Sequence, residues 1–310
     1  SEMCIRDRCK IIKGREAVRT YEVSCRLSRD TIMKIAVLSG KGGAGKTFVS
    51  VNLAVSAGRS TYIDCDVEEP NGRLFLKPQN VENKIVYRCL PEFREDRCDG
   101  CRKCVDFCQF HALVYVKDKP MLFSEVCHSC GGCKLVCPQD AVIEAEYELG
   151  HVETGVHEQV HVVTGILNIG EASGIAVIKA AKKEGFQREG LSIVDCPPGS
   201  ACSVNESIGD ADYCILVAEP TSFGFHNFKM VYELVNLLGK KCGIIINKQD
   251  LPYEPMEKFC IENQIEILAR IPYDGEAAEL SAKGKIVCEE KEEYRLLFRD
   301  ILKKIGGERS

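Results

Sequence analysis

The sequence predicts an α/β protein in which a doubly wound, mostly parallel sheet is interrupted by a small α+β domain. Apolar strands alternate with helices over most of residues 33–305, a pattern typical of a parallel sheet covered by helices on both faces. A glycine-rich loop joins the first strand to the first helix, and two runs of cysteine break the alternation near residues 89–148. The length of 310 residues suffices for two such domains.

The predicted elements begin with a buried strand at Lys34–Ser39, a helix at Phe48–Ala57 and a strand at Ser60–Asp66. Beyond the cysteine block the alternation resumes, with predicted strands at Leu191–Asp195, Tyr213–Ala218, Cys242–Ile246 and Glu266–Ile271, and predicted helices at Gly224–Leu238, Met256–Asn263, Glu276–Lys283 and Glu289–Ile305.

The domain organisation follows from these elements. Residues 33–88 and 149–305 form one discontinuous domain into which residues 89–148 are inserted. Residues 1–32 are Arg-rich and lack periodicity, so we expect a non-native or disordered extension there, and residues 306–310 form a tail.

Composition limits the class of partner. A hydrophobic content of 45% is ordinary for a globular protein, and no apolar run reaches the ~18–20 residues that span a bilayer. Residues 1–32 carry eight basic and five acidic side chains, so the net charge of −5 leaves −8 for the remainder. This acidic body argues against a nucleic-acid partner. Nineteen cysteines without a secretory signal predict a reducing, cytoplasmic location and no stable membrane anchor.

The glycine-rich loop has the pattern Gly-x4-Gly-Lys-Thr between a strand and a helix, which is the required setting of a phosphate-binding P-loop. Its backbone N–H groups would converge on phosphate oxygens at a helix N-terminus. We expect Lys46 to reach the β and γ phosphates and the hydroxyl of Thr47 to hold Mg²⁺. The predicted nucleotide-binding residues of this segment are Gly40, Lys41, Gly42, Gly43, Ala44, Gly45, Lys46, Thr47 and Phe48.

The cysteine runs share the spacing x2, x2, x3 and lie 29 positions apart, which indicates an internal duplication. They are Cys98, Cys101, Cys104 and Cys108, then Cys127, Cys130, Cys133 and Cys137. This spacing is that of two-cluster ferredoxins, in which the fourth cysteine of each run ligates the other run's [4Fe–4S] cluster. Zinc favours longer gaps between cysteine pairs, and a disulfide framework suits short secreted chains. We therefore predict one cluster on Cys98, Cys101, Cys104 and Cys137, and a second on Cys108, Cys127, Cys130 and Cys133.

With Lys41 the loop reads Lys-Gly-Gly-x-Gly-Lys-Thr, which resembles the deviant Walker A motif of the MinD/ParA/nitrogenase-iron-protein class of P-loop ATPases. The resemblance covers about residues 33–305, with a ferredoxin-like domain inserted. It implies ATP hydrolysis and a homodimer formed on ATP. In that dimer Lys41 would touch the partner's phosphates, so that Lys41, Lys46 and Asp66 are the predicted catalytic residues.

Three carboxylates lie at or just after the ends of predicted strands. In the deviant Walker A class, carboxylates at these positions serve the Mg²⁺ site and the nucleotide-sensing switch loops. Asp66 matches the switch I aspartate that orients the attacking water, and Asp64 is expected to support Mg²⁺. The sequence Asp195-Cys-Pro-Pro-Gly199 resembles Walker B followed by switch II. Asp195 would then serve the Mg²⁺ shell, and the Gly199 amide would sense the γ-phosphate. Thr47, Asp64 and Asp195 form the predicted magnesium set.

The base specificity has two interpretations. Asn247-Lys248-Gln249-Asp250 matches the guanine reader of GTPases, whereas an Asn at this strand end contacts adenine in the deviant Walker A class. The loop beginning Ile271-Pro272 resembles the segment that packs on the base in that class. We favour ATP and predict base contacts from Asn247, Lys248 and Pro272.

Function has three candidates. The first is an ATPase whose nucleotide state gates electron transfer through two [4Fe–4S] clusters to an unidentified redox partner, with switch I acting on the segment that leads into the cysteine block. The second is an Fe–S or metal-centre assembly or carrier factor delivering to an acceptor protein, although the C-terminal Cys-x-x-Cys of such carriers is absent. The third is a MinD-like positioning ATPase. Cys202 matches one ligand of the nitrogenase iron protein's bridging cluster, but a packed thiol is the simpler interpretation.

Overall fold

Residues 33–306 are described by a computed structural model. The predicted extension at residues 1–32 and the tail at residues 307–310 lie outside the described residues. The described chain forms two compact units, a larger one of residues 33–85, Gly150–Leu167 and 173–306, and a smaller one of Val86–Leu149 and Asn168–Ala172. The larger unit contains the glycine-rich loop and the smaller one contains all eight regularly spaced cysteines.

The larger unit is built on a mostly parallel sheet. Its strands are β1 (Met33–Leu38), β2 (Ser60–Asp64), β7 (Val160–Leu167), β8 (Leu191–Asp195), β9 (Tyr213–Ala218), β10 (Lys241–Asn247) and β11 (Glu266–Ile271). Their order is β11-β10-β9-β1-β8-β2-β7, and every neighbouring pair in that series is parallel. The predicted fold class, α/β with a mostly parallel sheet, is therefore confirmed.

Helices follow most of these strands. They are α1 (Lys46–Ala57), α2 (Gly72–Leu76), α5 (Ile175–Gly185), α6 (Cys202–Ile208), α7 (Ser222–Leu237), α8 (Glu254–Glu262), α9 (Gly275–Ala282), α10 (Val287–Glu290) and α11 (Glu292–Gly306). The strands β1, β8 and β9 are buried along nearly their whole length because both faces of the sheet are covered. No helix within residues 33–306 has the length and hydropathy needed to cross a membrane.

Two long strands connect the units along the chain. Strand β3 (Gln79–Phe93) leaves the larger unit and β6 (Val142–His157) returns to it, where β6 pairs antiparallel with β7. The sequence analysis did not predict β3, because residues 79–85 are all exposed and lack the apolar alternation that identifies a half-buried strand.

The smaller unit repeats one local pattern twice. A loop with two cysteines leads into the short helix α3 (Lys103–Phe107), which carries Cys104, and later into α4 (Gly132–Leu135), which carries Cys133. Between the repeats lie the antiparallel hairpin of β4 (Leu113–Val116) and β5 (Lys119–Leu122) and a 3₁₀ turn at Ser124–Val126. The predicted bounds of this domain, 89–148, remain a prediction.

Two predicted elements differ from the structure. The single helix predicted at Glu289–Ile305 is wrong, because an extended residue at Lys291 divides it into α10 and α11. The Lys291 ammonium there binds Asp274 at 2.7 Å and Glu276 at 2.8 Å. The strand predicted to reach Asp66 ends at Asp64, whose carboxylate accepts the Asp66 N–H at 3.1 Å and turns the chain.

Helix α11 packs its apolar face on the core of the larger unit. Tyr294, Phe298 and Ile301 are buried, and the ring of Phe48 in α1 meets Tyr294 and Phe298 at centroid distances of 6.1 and 6.0 Å.

Asp274 joins α9 to this terminal helix, which predicts a stability effect. Its carboxylate caps α9 by accepting the N–H groups of Glu276 (2.9 Å) and Ala277 (3.2 Å), and it also accepts from the Tyr294 hydroxyl. We expect Asp274→Ala to lower the free energy of unfolding by about 1–2 kcal/mol, the usual loss for an N-cap. Urea unfolding measures it.

Asp274→Asn is the matched control, since Asn also caps helices but cannot form the ion pair with Lys291. Hydrogen bonds from Lys291 and the α9 backbone lower the pKa of Asp274 to about 2. Because the folded pKa lies below the ordinary value, this stabilisation is present above about pH 4 and is lost as the pH falls through about 2. An Ala variant as stable as the native chain would contradict this role.

Candidate functional site

The glycine-rich loop has the backbone geometry that a phosphate cradle needs. Gly43 and Gly45 have φ angles of 79° and 95°, in the left-handed region that favours glycine, and Gly45 directly precedes α1. A Cβ at Gly45 would lie 2.1 Å from Nδ2 of Asn247. Any side chain at position 45 would therefore displace the Asn247 side chain at the end of β10. The loop therefore presents its N–H groups at the N-terminus of a twelve-residue helix.

Lys46 lies inside a cluster of carboxylates. It is 6% exposed, its Nζ lies 2.5 Å from Oδ1 of Asp195 and 3.4 Å from Oδ2 of Asp66, and both acids follow or end strands of the sheet. Burial by itself lowers the pKa of Lys46, but the charges of Asp195, Asp66 and Asp64 outweigh burial and raise it. The ammonium is therefore held charged at the position from which it would meet phosphate.

Asp64 and Asp195 are neighbours in the register of β2 and β8, and both are fully buried. The Tyr62 hydroxyl donates to Oδ2 of Asp195 at 2.9 Å, and the Gly72 N–H donates to Oδ2 of Asp64 at 3.0 Å. Burial and the nearby charge of Asp195 raise the pKa of Asp64. Two adjacent buried carboxylates need a cation close by, and oxygen ligands suit Mg²⁺.

The chemistry of the predicted magnesium set therefore fits the ion. Mg²⁺ usually binds through one or two carboxylates together with substrate phosphates and water, so a cage of protein ligands is not needed. Thr47, Asp64 and Asp195 would hold it. Asp66 lies beside them, and burial raises its pKa although Lys46 opposes this shift.

A cleft of about 1030 Å³ lies over the loop, lined among others by Lys46, Thr47, Asp66 and Pro198 of the predicted switch II. Next to it, a cavity of about 260 Å³ is lined by Asn247, Lys248, Pro272 and Tyr273. Gly45 and Phe48 line both spaces. Most of the predicted phosphate-binding residues and all three predicted base contacts thus line two adjoining spaces in the larger unit, whereas Gly40, Lys41 and Ala44 line neither. Asp250, the residue that would read guanine, does not line the second cavity.

Two further predicted contacts have structural partners. Asn247 donates from Nδ2 to the carbonyl of Ala44 at 2.9 Å, which fixes the end of β10 to the loop. Gly199 donates its N–H to the carbonyl of Ser39 at 2.9 Å and has a φ of 92°. This ties the predicted switch II to the end of β1, next to the loop.

Glu219 is a site residue that the sequence analysis missed. It directly follows β9, and its carboxylate accepts hydrogen bonds from Lys41 and, at 2.7 Å, from Lys248. Lys248 also donates to the carbonyl of Gly43 at 2.9 Å. Although burial raises the pKa of Glu219, these two lysines lower it overall. The rule that ligands bind at the carboxyl ends of parallel strands could have identified Glu219; nothing in the sequence identified Tyr62.

In the smaller unit, the structure gathers the cysteines around two cavities. Each cavity is lined by three cysteines of one run and the fourth cysteine of the other, and Cys89 lines the second cavity as well. One holds Cys98, Cys101, Cys104 and Cys137, and the other holds Cys108, Cys127, Cys130 and Cys133. These are the two sets that the spacing predicts.

The surroundings of the cysteines suit thiolate ligands of a cluster. Apolar side chains complete the cavities, Phe93 in the first and Phe107 in the second. The Ala141 N–H donates to Sγ of Cys137 at 3.3 Å, a contact that stabilises charge on sulfur. Burial raises the pKa of Cys133 to about 11, so a metal would be needed to hold its thiolate.

No three or more His, Cys, Asp or Glu side chains among residues 33–306 are grouped to hold one metal ion. A cubane differs from a single ion, because each of its four thiolates binds a different iron and the sulfurs therefore stand further apart. Four thiolates are the donor set that a [4Fe–4S] cluster uses, so the cysteine sets at the two cavities are compatible with such clusters.

Hydrogen bonds hold the two cysteine repeats together. The Asp99 carboxylate accepts the Cys101 N–H at 3.1 Å and, from the other repeat, Nε2 of Gln139 at 3.1 Å. The Tyr115 hydroxyl of the hairpin donates to the carbonyl of Gly100 at 3.0 Å. The interpretation of Cys202 as a packed thiol is wrong, because Cys202 is exposed at the start of α6 in the larger unit.

Known proteins resemble this chain over most of its length. An uncharacterized protein of Methanocaldococcus jannaschii is 29% identical over 279 residues, covering 88% of this chain and 96% of that protein. An iron-sulfur cluster carrier protein of the same organism is 24% identical over 312 residues, covering 89% and 86%. The structure of the septum site-determining protein MinD of Pyrococcus horikoshii, complexed with Mg-ADP, matches with a TM-score of 0.55 at 18% identity, covering 88% of this chain and 96% of that one.

The structural likeness, at this identity, shows the fold alone. A family model described as the CobQ/CobB/MinD/ParA nucleotide binding domain matches residues 35–287, which include the glycine-rich loop, the three aspartates and Asn247. The chain therefore belongs to the CobQ/CobB/MinD/ParA nucleotide-binding family.

Proposed function

We propose that this protein is an ATPase whose nucleotide state governs electron transfer through two [4Fe–4S] clusters to a partner protein. The observation that carries the proposal is the distribution of the eight cysteines over two cavities, each with three cysteines from one run and one from the other. When bound, the clusters would supply one-electron chemistry at low potential. The inserted ferredoxin-like domain would comprise about residues 89–148.

The nucleotide side of the proposal rests on the larger unit. Lys46 and the loop N–H groups would bind the phosphates, and Thr47, Asp64 and Asp195 would hold Mg²⁺. Asp66, 3.4 Å from the Lys46 ammonium, would orient the attacking water. Lys41 would reach the phosphates of a second copy in an ATP-bound homodimer. We propose ATP over GTP, since Asp250 lies outside the cavity that Asn247 and Pro272 line.

A carrier of iron-sulfur clusters is the second candidate. It is favoured by the 24% identical relative that is named as such a carrier, which matches over most of both chains. In this chain no Cys-x-x-Cys follows Cys130-x-x-Cys133, and the eight cysteines are divided between two cavities. This arrangement is better suited to clusters that stay bound than to cargo.

The experiment compares electron release in different nucleotide states. Anaerobically reconstituted protein is reduced, and its reoxidation by a viologen dye is followed with Mg-ATP, a non-hydrolysable ATP analogue, Mg-GTP or Mg-ADP. We expect the rate with the ATP analogue to differ at least about fivefold from the rate with ADP, a coupling of the usual allosteric size. GTP should have little effect.

Two outcomes would count against the proposal. Equal rates in every nucleotide state would reject gating, and a Lys46→Met control would show whether an observed difference depends on nucleotide binding. Iron that leaves for an apo-ferredoxin during ATP turnover would favour the carrier function instead.

A further inference from the structure

The backbone of Val67 holds two parts of the larger unit that are distant in sequence. Val67 follows Asp66, lines the nucleotide cleft and is 4% exposed. Its carbonyl accepts the N–H of Leu167, the last residue of β7, at 2.9 Å. Val67 is therefore attached directly to the end of the strand that precedes Asn168.

The side chain of Val67 packs on the chain where it re-enters the larger unit. A Cβ placed on Gly174 would lie 2.4 Å from Cγ2 of Val67, so the Gly174 backbone is in close contact with this side chain. Gly174 also lines the nucleotide cleft. Val67 thus contacts the residue on each side of the segment 168–173. Its carbonyl accepts the hydrogen bond from Leu167, and its side chain packs on Gly174.

The intervening segment Asn168–Ala172, which we call the strap, belongs to the smaller unit. Asn168 donates its N–H to the carbonyl of Leu149 at 3.0 Å and its Nδ2 to that of Glu148 at 3.2 Å. Glu171 forms an ion pair with Arg88 at 2.8 Å, and the two side chains are only 8% and 12% exposed. Separating an ion pair this buried leaves an uncompensated buried charge, so a movement of one side chain is expected to move the other.

Arg88 extends this connection to a cysteine run. Its Nη1 donates to the carbonyl of Ser124 at 3.4 Å, and the same carbonyl accepts the N–H of Cys127 at 3.1 Å. The guanidinium also lies over the ring of Tyr147, 5.3 Å from its centroid, a cation–π contact. A displacement of Glu171 therefore shifts a group that shares a hydrogen-bond acceptor with Cys127.

We propose that the strap is the element through which the nucleotide site acts on the cysteine-rich unit, by way of Val67, Leu167, Glu171 and Arg88. The inference rests on the proposed function and names the regulation of its clusters. Each non-covalent contact in this path joins two residues of the same unit, either the larger or the smaller one. The peptide bond between Leu167 and Asn168 links the two halves of the path. The sequence alone suggested the other connection, the segment that leads from switch I into β3.

The test measures amide hydrogen exchange, which needs no electron transfer. In the native chain, the amides of Asn168–Ala172 and of residues 124–130 are expected to change their exchange rates at least about fivefold between the ATP analogue and ADP. In Glu171→Gln, which keeps the side-chain shape but removes the charge, the response at residues 124–130 should fall to less than about twofold while the response at 66–69 persists. Glu146→Gln, at an exposed glutamate of the same unit, is the matched control.

A second variant distinguishes loss of the ion pair from general unfolding. The charge exchange Arg88→Glu with Glu171→Arg restores an ion pair and should recover part of the response at residues 124–130. The strap would be excluded if Glu171→Gln left that response at its native size. If the native chain showed no response there but reoxidation still depended on nucleotide, the strap would be wrong and the proposed function would stand. If neither depended on nucleotide, both would fail.

Discussion

Lys46→Met is expected to abolish ATP hydrolysis and to destabilise the larger unit. The ammonium of Lys46 lies 2.5 Å from Asp195, and Asp64 and Asp195 are fully buried beside each other. Without the ammonium, two buried carboxylates lose their cation. Removing one partner of a buried ion pair lowers the free energy of unfolding by about 3–5 kcal/mol. Hydrolysis should fall at least about 100-fold, since a preorganised charge at the phosphates is lost as well. Urea unfolding and phosphate release measure the two effects.

Two controls separate folding from catalysis. Adding Asp195→Asn to Lys46→Met removes the uncompensated charge, so part of the stability should return while hydrolysis stays absent. Lys258→Met, at a lysine that is 71% exposed, should change the free energy of unfolding by less than about 0.5 kcal/mol. A Lys46→Met protein that hydrolysed ATP at the native rate would refute the role assigned to this loop.

The second large effect concerns how the cysteines divide into two sets. Cys137→Ser should lower the iron content of anaerobically reconstituted protein from about eight to about four per chain, because it opens one four-cysteine site and leaves the other complete. Combining it with Cys98→Ser should cause no further loss, since both residues line the same cavity. Combining Cys98→Ser with Cys108→Ser should remove nearly all of the iron, since these two residues line different cavities.

The double variants give opposite results if each run binds its own cluster. Cys98 and Cys108 would then share a cluster and their double variant would retain about four irons. Cys202→Ser is the control, because this thiol is exposed at the start of α6 and should leave the iron content unchanged. A native chain that bound no iron would end the cluster assignment, whichever pairing was tested.

Much of the larger unit could be predicted because its signals are local. Short, mainly apolar runs identified β8, β9 and β11 with their observed bounds, and β8 and β9 are buried along nearly their whole length as such runs predict. The Gly-x4-Gly-Lys-Thr pattern located the phosphate cradle because backbone geometry at Gly43 and Gly45 depends on residue type itself. The cysteine spacing likewise predicted which cysteines line each cavity, whereas their role as cluster ligands stays a prediction.

Contacts between distant segments could not be predicted. Residues 79–85 of β3 lack apolar alternation, and Lys291, where the last predicted helix divides, forms ion pairs with Asp274 and Glu276 at the start of α9. The partners of Lys41 and Asp195, which are Glu219 and Tyr62, lie 178 and 133 positions away in the sequence. The sequence by itself thus determined which chemical groups this protein carries and on which elements. Only the tertiary structure decided their partners and brought the strap to Arg88, because burial and ion pairing depend on distances that periodicity and spacing do not encode.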